Sequence, residues 1–457
     1  MDGVRETSAF LPLTASTLSP LTASDPSPLN VGPTPFLKFP NEIICEISSF
    51  LDSQSLCQLR LVHTLFAPAT RPVFGRCLAR TYVIFERHSL QMLSAISNSQ
   101  YAHFVSELFV YVPPPVGPLE RIRYRDQVLD QDCIVNSGLD LLWLTLAFQR
   151  FSKLRIVRIT NEPPGASLHA YPLAYRSLLA PQIATTSCPS EESVSHAVLV
   201  VLTAASEAKL TLDTFDILLS CSAPMWEDDF DLESLHSNST EANVGSCGGL
   251  DLSGMGLSSA YFEHIQPFMA KLKCLRLHAS FYPGHNPSEQ LANLISLAPA
   301  LKRLDLWFDA PAASLFRSLA AQQVLPKLAK LTLAGLVTDL ASAERFLQRL
   351  SPSLTELTLC HIMLEETTLS KDGWMTLLGL VTKSLSLHSL TLHSLGVRVY
   401  NDWKPLRDGR GEKIAARFNS DLVSKVQLYA TELRVGMDSE MLWISCSPNT
   451  LDECLRQ

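Results

Sequence analysis

The residues in this sequence that could do chemistry are its cysteines and histidines, and their spacing limits what that chemistry could be. Cys360 directly precedes His361, and His388 and His393 flank a later strand-like segment. A zinc site needs four such ligands converging on one point, yet the chain has no Cys-x-x-Cys pair and no His-Glu-x-x-His motif. With 11 cysteines and 12 histidines, isolated Cys–His pairs arise by chance. We therefore expect no metal site and no cysteine nucleophile.

Other catalytic motifs are also missing from the sequence. The glycine-rich segment GGLDLSGMGL around Gly249 lacks the Lys-Ser/Thr pair that completes a phosphate-binding loop, and no Gly-x-Ser-x-Gly elbow occurs. The sequence therefore predicts a protein that is not an enzyme and needs no cofactor. Its function has to be sought in surfaces that bind other molecules.

Composition limits what those molecules can be. The chain has 457 residues, of which 46% are hydrophobic and 18% charged, as expected for two or three folded domains or one continuous repeat array. A net charge of −8 argues against a general nucleic-acid binder. No apolar run approaches the ~20 residues that cross a bilayer, and the N-terminus has no secretory pattern. We expect an intracellular protein, cytoplasmic or nuclear, with reduced thiols and neither a nucleic-acid nor a membrane partner.

The segment from Phe39 to Leu78 predicts three short helices with a surplus of apolar residues. Pro40 suits the first position of a helix, and apolar residues then recur at helical spacing through the segment. Asp52 and Ser53 separate the first two helices, and Pro68 and Pro72 keep the third short or kinked. About 40 residues cannot close a core alone, so this surplus predicts a binding face. Docking onto the rest of the chain is the alternative.

This segment resembles the F-box, in the form common in fungal proteins. It reads FPNEI from Phe39, FLD from Phe50 and SLCQLRLV from Ser55, with His63 and Phe66 replacing the commoner Cys/Ser and Trp. The resemblance implies that the segment binds the Skp adaptor of an SCF-type cullin–RING ubiquitin ligase. The residues that would form much of that contact are Pro40, Ile43, Ile47, Leu51, Leu56, Leu59 and Leu61.

A second pattern, apolar-x-x-apolar-x-apolar, returns after residue 80. Five clear copies start at Leu272, Leu301, Leu328, Leu354 and Leu387, which lie 29, 27, 26 and 33 residues apart, with amphipathic stretches between them. Weaker copies start at Val105 and Leu154, and partial ones lie near Leu210 and Leu250. Strand then helix at such a period indicates a solenoid, and the array resembles the leucine-rich repeat family. The predicted fold is therefore mixed α/β, an N-terminal three-helix F-box followed by an irregular solenoid of short parallel strands and helices.

The predicted domain organisation follows from these two patterns. Residues 1–35 are a Ser/Thr/Pro-rich leader without a core, residues 36–80 the F-box-like unit, and residues 81–400 the repeats. Polar segments at 113–132 and 222–247 are expected to be loop insertions; an acidic docking loop is the alternative for the second. Residues 401–457 form a charged loop and a capping segment, since an array needs an atypical last unit.

Side chains alternate across a strand, so the leucines of each copy point inward and the residues between them face outward. We expect this outward face to bind a protein substrate, with Trp307 as anchor, and an acidic or phosphorylated segment to meet its cations. A merely solvated surface is the alternative. The candidate substrate face comprises Arg276, His278, Arg303, Asp305, Trp307 and Lys330.

Together these features predict a non-catalytic substrate receptor of a ubiquitin ligase. The Skp adaptor, and through it a cullin–RING ligase, would bind the N-terminal unit, and a protein substrate would bind the repeats for ubiquitin-dependent degradation. The alternative is a ligase-independent scaffold that binds the adaptor or another protein.

Overall fold

The computed structural model describes fourteen stretches of the chain. They are residues 39–113, 125–161, 191–219, 250, 258–279, 288–313, 315–322, 325–350, 352–366, 372–393, 395–399, 413–417, 434–438 and 441–445. Within them the protein is mixed α/β, as predicted, and is built on one parallel sheet with a helical unit before it. The expected leader at 1–35 and the expected insertion at 222–247 lie outside the described residues.

Four helices, not three, form the N-terminal helical unit (residues 39–78). They are α1 (Asn41–Ser49), α2 (Ser53–Val62), α3 (Phe66–Ala69) and α4 (Arg71–Cys77). The expected third helix divides at Thr70 because Pro72 lies in the first turn of α4, where its missing N–H costs nothing, and so begins a new helix. Ile44, Phe66 and Ala69 form the small core of the unit, with Leu59 packed against it.

The parallel sheet follows the order of the chain. Each strand from β1 to β8 pairs in parallel with the next, and β8 pairs with β9 through its first half and with β10 through its second half. The strands are β1 (Arg80–Val83), β2 (Glu107–Tyr111), β3 (Ile156–Thr160), β4 (Thr214–Leu218), β5 (Cys274–Ala279), β6 (Arg303–Ala313), β7 (Lys330–Asp339), β8 (Glu356–Glu366), β9 (Ser389–His393) and β10 (Leu395–Val399).

The last strands join the far end of the sheet in antiparallel fashion. β11 (Lys413–Arg417) pairs with β9, and β13 (Met441–Ser445) pairs with β10 and with β12 (Arg434–Asp438). The apolar segment that we expected to cap the array therefore includes strand β13, while residues 401–412 lie outside the described part.

Helices connect consecutive strands. They are α5 (Arg87–Ser97), α6 (Arg125–Ser137), α7 (Leu139–Arg150), α8 (Glu191–Glu207), α9 (Ser259–Met269), α10 (Ser288–Ser296), α11 (Leu315–Ala321), α12 (Leu340–Leu350) and α13 (Asp372–Ser384), with a 3₁₀ turn at Ala102–Phe104. Among the described residues, we find no helix with the length and apolar character to cross a membrane.

The prediction of a loop insertion at residues 113–132 is partly wrong, because α6 begins at Arg125. The prolines of this segment all precede residue 119, so nothing after it breaks a helix. Ile134, later in the same helix, is completely buried and ties α6 to the main core.

The leucines of the repeat pattern point into the core, as expected. In β5 to β9 they form two rows in register across neighbouring strands, and all are at most 6% exposed. Burying each such side chain contributes about 1.5–3 kcal/mol. The two rows are Leu275, Leu304, Leu331, Leu357 and Leu390, and Leu277, Leu306, Leu333, Leu359 and Leu392.

Two of the weaker predicted copies are placed differently. Strand β4 uses Phe215 and Ile217 in the two leucine rows, so this copy starts at Leu212 rather than near Leu210. β4 pairs directly with β5, so no strand lies between them where the copy near Leu250 was expected. The leucine pattern missed β4 because other apolar side chains fill its core positions.

A glycine stands in β7 where the register with β6 shifts. Gly335 has φ +70°, and a Cβ atom at this position would lie 1.8 Å from the carbonyl oxygen of Phe308. Only glycine satisfies both the left-handed backbone and this close approach. Beyond it the strand pairs again with β8, from Leu336 to Asp339.

Candidate functional site

The N-terminal helical unit presents a concentrated apolar surface. In the described part of the chain eleven large apolar side chains are exposed, and seven of these lie between residues 39 and 65. We call these seven the apolar surface: Phe39, Ile43, Ile47, Phe50, Leu61, Val62 and Leu65. Monomeric proteins rarely leave such a patch uncovered unless it is an interface.

Short helices explain why these side chains face solvent. In α1, Ile44 is 3% exposed and faces the unit's core, while Ile43 and Ile47 lie one turn apart and are 46% and 36% exposed. The next helix begins where the Asp52 carboxylate accepts a hydrogen bond from the Ser55 N–H at 2.7 Å. The unit has too few elements to enclose both faces of each helix.

The structure divides the predicted adaptor-binding residues into three groups. Pro40, Ile43, Ile47 and Leu61 are exposed, and Leu51 and Leu59 are half-buried. The expectation for Leu56 is wrong, because this side chain is completely buried and cannot reach a partner. In α2 it points into the protein, whereas Leu61, near the end of the same helix, points outward.

The predicted adaptor contact includes Leu61, the most exposed residue of this surface, but leaves out four other exposed residues. Phe50 and Val62 are 81% and 73% exposed, and Phe39 and Leu65 are also exposed. Phe50 follows the end of α1, Val62 is the last residue of α2, and Leu65 precedes α3. Helical spacing predicts which side a residue faces only inside a helix. For these residues the only sequence signal of exposure was their position at the predicted helix ends.

The second candidate surface is the side of the sheet that faces away from the helices. Arg276, Arg303 and Lys330 are partly exposed there, with 22%, 40% and 37% of their side chains accessible. Asp305 is 15% exposed and Trp307 half-buried. His278 does not belong to the exposed face as expected, because it is 5% exposed and its ring lies edge-on to Trp307 at 5.8 Å.

Charges of opposite sign lie on neighbouring strands of this face, although Arg303 and Lys330 are also directly opposite each other. One charged residue from each of the first eight strands forms what we call the charge ladder: Arg80, Glu107, Arg158, Asp216, Arg276, Asp305, Lys330 and Glu356. Most neighbours in this order contact each other. Distances between charged atoms are 3.5 Å for Arg80–Glu107, 4.0 Å for Glu107–Arg158, 3.0 Å for Arg158–Asp216 and 3.0 Å for Lys330–Glu356.

Asp216 is the most buried member of the ladder. Its carboxylate is fully buried and accepts two hydrogen bonds from Arg276, one of them 2.8 Å long from Nε to Oδ1. Burial opposes the charge of Arg276, but the hydrogen bond and the charge of Asp216 raise its pKa above the ordinary value. Arg276 therefore keeps its positive charge throughout the physiological range.

These ion pairs bear on the expected acidic or phosphorylated substrate. Each of the three cations already contacts a carboxylate: Arg276 contacts Asp216, Arg303 contacts Asp305 at 2.6 Å, and Lys330 contacts Glu356. An incoming anion would have to compete with them. The face offers paired charges and aromatic rings, those of Tyr82, Phe109 and Trp307, rather than a basic patch.

Reactive chemistry is not evident in the described residues. Burial raises the pKa of the Cys274 thiol to about 11, with a further contribution from Asp216, so this sulfur is protonated at neutral pH. Within the described ranges, no group of three or more His, Cys, Asp and Glu side chains could hold a metal ion. A cavity between α10, α11 and α12, lined by Ile295, Leu319 and Phe346 among others, has room for little more than a water molecule.

Comparison with known proteins adds no family assignment to this picture. No protein-family model matches the chain, and no curated protein matches it either.

Proposed function

We propose that this protein is a non-catalytic substrate-recognition subunit of an SCF-type cullin–RING ubiquitin ligase. In this role the N-terminal helical unit binds the Skp adaptor, and the outward sheet face binds a protein destined for ubiquitin-dependent degradation. Transfer of ubiquitin takes place on other subunits of the complex.

The apolar surface is the observation on which this proposal rests. Seven large apolar side chains remain exposed within 27 residues, although the unit has a core of its own around Ile44. Leaving them in water is unfavourable by about 25 cal/mol for each Å² of apolar area. A partner with a complementary apolar groove removes that penalty, and the F-box resemblance indicates which partner this is.

The exposed residues redefine the proposed adaptor contact. Ile43, Ile47 and Leu61 remain in it, and Phe50 and Val62 join it because they are the most accessible aromatic and β-branched side chains of the unit. Large apolar side chains in the centre of an interface contribute most of its binding energy. Leu56 is left out because it is buried.

A pull-down with purified Skp adaptor and cullin tests the proposal. Ile43→Asp puts a charge into the apolar surface, and we expect it to abolish adaptor retention, a loss of at least about tenfold for a buried unpaired charge. Leu142→Asp is the matched control, since Leu142 on α7 is 51% exposed against 46% for Ile43 and lies outside the apolar surface.

The outcomes separate the proposal from its alternatives. Wild type and Leu142→Asp should both retain adaptor and cullin. Retention of the adaptor without the cullin would favour a ligase-independent scaffold. If the wild-type chain retains neither protein, both functions are wrong.

A further inference from the structure

Arg60 joins the N-terminal helical unit to the first strand–helix repeat. It lies on α2, and its Nη1 atom donates hydrogen bonds to the carbonyl oxygen of Ala67 at 2.9 Å and to the hydroxyl of Thr70 at 3.0 Å. Its Nη2 atom donates to the hydroxyl of Tyr101, which lies beyond α5 and just before the 3₁₀ turn. One guanidinium thus links three separate parts of the chain.

Aromatic rings hold the same guanidinium on its faces. Its central carbon lies 4.3 Å from the centre of the Phe74 ring and 5.4 Å from that of Tyr101. The two rings meet edge-on at 5.2 Å. This arrangement needs the flat, multiply donating group of arginine; a lysine has a single nitrogen and cannot make the hydrogen bonds and the stacking together.

A second contact closes the junction from the side of α4. A Cβ atom on Gly75 would lie 2.6 Å from three atoms of the Phe104 ring, so the backbone of α4 rests directly on that ring. Phe104 belongs to the 3₁₀ turn next to Tyr101. The helical unit therefore meets the sheet domain through one guanidinium and one tightly packed ring.

We propose that Arg60 is a positioning residue that fixes the orientation of the adaptor-binding helices relative to the parallel sheet. Any protein held on the sheet face is then presented at a defined place relative to the adaptor. The consequence for presentation rests on the proposed function, whereas the fixed orientation itself rests on the contacts of Arg60 and on the packing of Gly75 against Phe104.

The test compares Arg60→Lys and Tyr101→Phe with the wild-type full-length protein. Tyr101→Phe keeps the ring and removes only the hydrogen-bond acceptor, so it remains informative if Arg60→Lys unfolds the unit. Arg71→Ala is the control, because Arg71 is an exposed arginine on α4. Two measurements apply: amide hydrogen exchange, and single-molecule fluorescence distances between labels placed genetically at the exposed positions Gln54 and Ser386.

In both variants we expect exchange at residues 101–105 to become about tenfold faster, as for the loss of one charge-assisted hydrogen bond. The distance distribution should broaden, while Arg71→Ala should leave both measurements unchanged. A purely stabilising role would instead speed exchange throughout α1–α4 and leave the distances sharp, which would overturn the proposal. So would unchanged exchange and distances in both variants.

A pull-down of the same proteins keeps this inference separate from the proposed function. If wild type fails to bind the adaptor, the ligase role is wrong, and the fluorescence distances still decide the role of Arg60. If adaptor binding is normal in Tyr101→Phe and its distance distribution is broad, both proposals stand.

Discussion

Asp216 shows how a single residue organises the outward face of the sheet. Its fully buried carboxylate lies between two guanidiniums whose side chains are only 27% and 22% exposed, those of Arg158 and Arg276. A buried carboxylate is costly unless it is paired and hydrogen-bonded. Asp216 is paired with both guanidiniums and is hydrogen-bonded to Arg276. The carboxylate therefore needs the two arginines to offset its burial, and they need the carboxylate.

We therefore expect Asp216→Ala to be strongly destabilising. It leaves Arg276 without its carboxylate partner and Arg158 with only the 4.0 Å contact to Glu107, and removing one partner of a buried pair costs about 3–5 kcal/mol. Glu356→Ala is the comparison, since the Lys330–Glu356 pair is 37% and 47% exposed and such surface pairs contribute about 0–1 kcal/mol. Urea unfolding measures both values, and equal losses would contradict a special role of Asp216.

At the residue scale, the sequence predicts which strand residues are buried but not how the others pair. Alternation assigns Leu304 and Leu306 inward and Arg303 and Asp305 outward, as the structure shows. Which charged residues meet across neighbouring strands depends on the register of the strands, and the apolar periodicity does not specify that register. The sequence therefore did not predict that the cations are paired with carboxylates. His278 was misplaced for a related reason: the bulky ring on the next strand shields it.

Among the helices, α12 has a well-defined start. The carboxylate of Asp339 accepts hydrogen bonds of 2.8 Å from the backbone N–H and from the hydroxyl of Ser342, and Arg317 lies 3.3 Å away. Burial opposes the ionisation of Asp339, but these hydrogen bonds and the charge of Arg317 outweigh it and lower its pKa. The cap is therefore strongest in its charged form.

We expect the stability contributed by Asp339 to depend on pH. Because the pKa is lower in the folded than in the unfolded protein, this contribution is fully present at neutral pH and is lost as the pH falls below about 4. Asp339→Ala should cost about 1 kcal/mol at pH 7. Asp339→Asn retains a capping oxygen but does not titrate, so its stability relative to wild type should improve between pH 5 and pH 3 (about the carboxyl range). Thermal unfolding at both pH values checks this, and parallel curves would be evidence against the charged cap.

At the scale of elements, prediction succeeds where leucine repeats and fails where another apolar residue takes its place. The five clear copies all become strands of one sheet. Strand β4 was mislocated because Phe215 and Ile217 fill the core positions, and α6 was missed because the preceding prolines dominated its segment. Core packing tolerates any apolar side chain of suitable volume, so a pattern of one residue type underestimates the array.

In the described part of the chain, the sheet and the N-terminal helical unit have separate hydrophobic cores. One continuous cluster extends from Val83 to Leu392 through the sheet and its helices, whereas the helical unit has its own small cluster around Ile44. They meet at the junction of Arg60, Phe74 and Tyr101. The core of the helical unit is the smaller one, and many apolar side chains of this unit are exposed. We therefore expect the helical unit to open locally at a lower free energy than the sheet.

Native-state hydrogen exchange should therefore reveal two cooperative units. We expect the amides of α1–α4 to exchange through an opening of lower free energy than those of β5–β8.

Three variants test this expectation. Ile44→Ala, which truncates a side chain that is 3% exposed, should cost about 2–5 kcal/mol and speed exchange only within residues 41–77. Leu304→Ala, at a completely buried position of β6, should speed exchange in the sheet and leave exchange in α1–α4 unchanged. Leu142→Ala at an exposed position should affect neither region. If Ile44→Ala instead speeds exchange equally in β5–β8, the protein unfolds as one unit and the junction transmits stability as well as orientation.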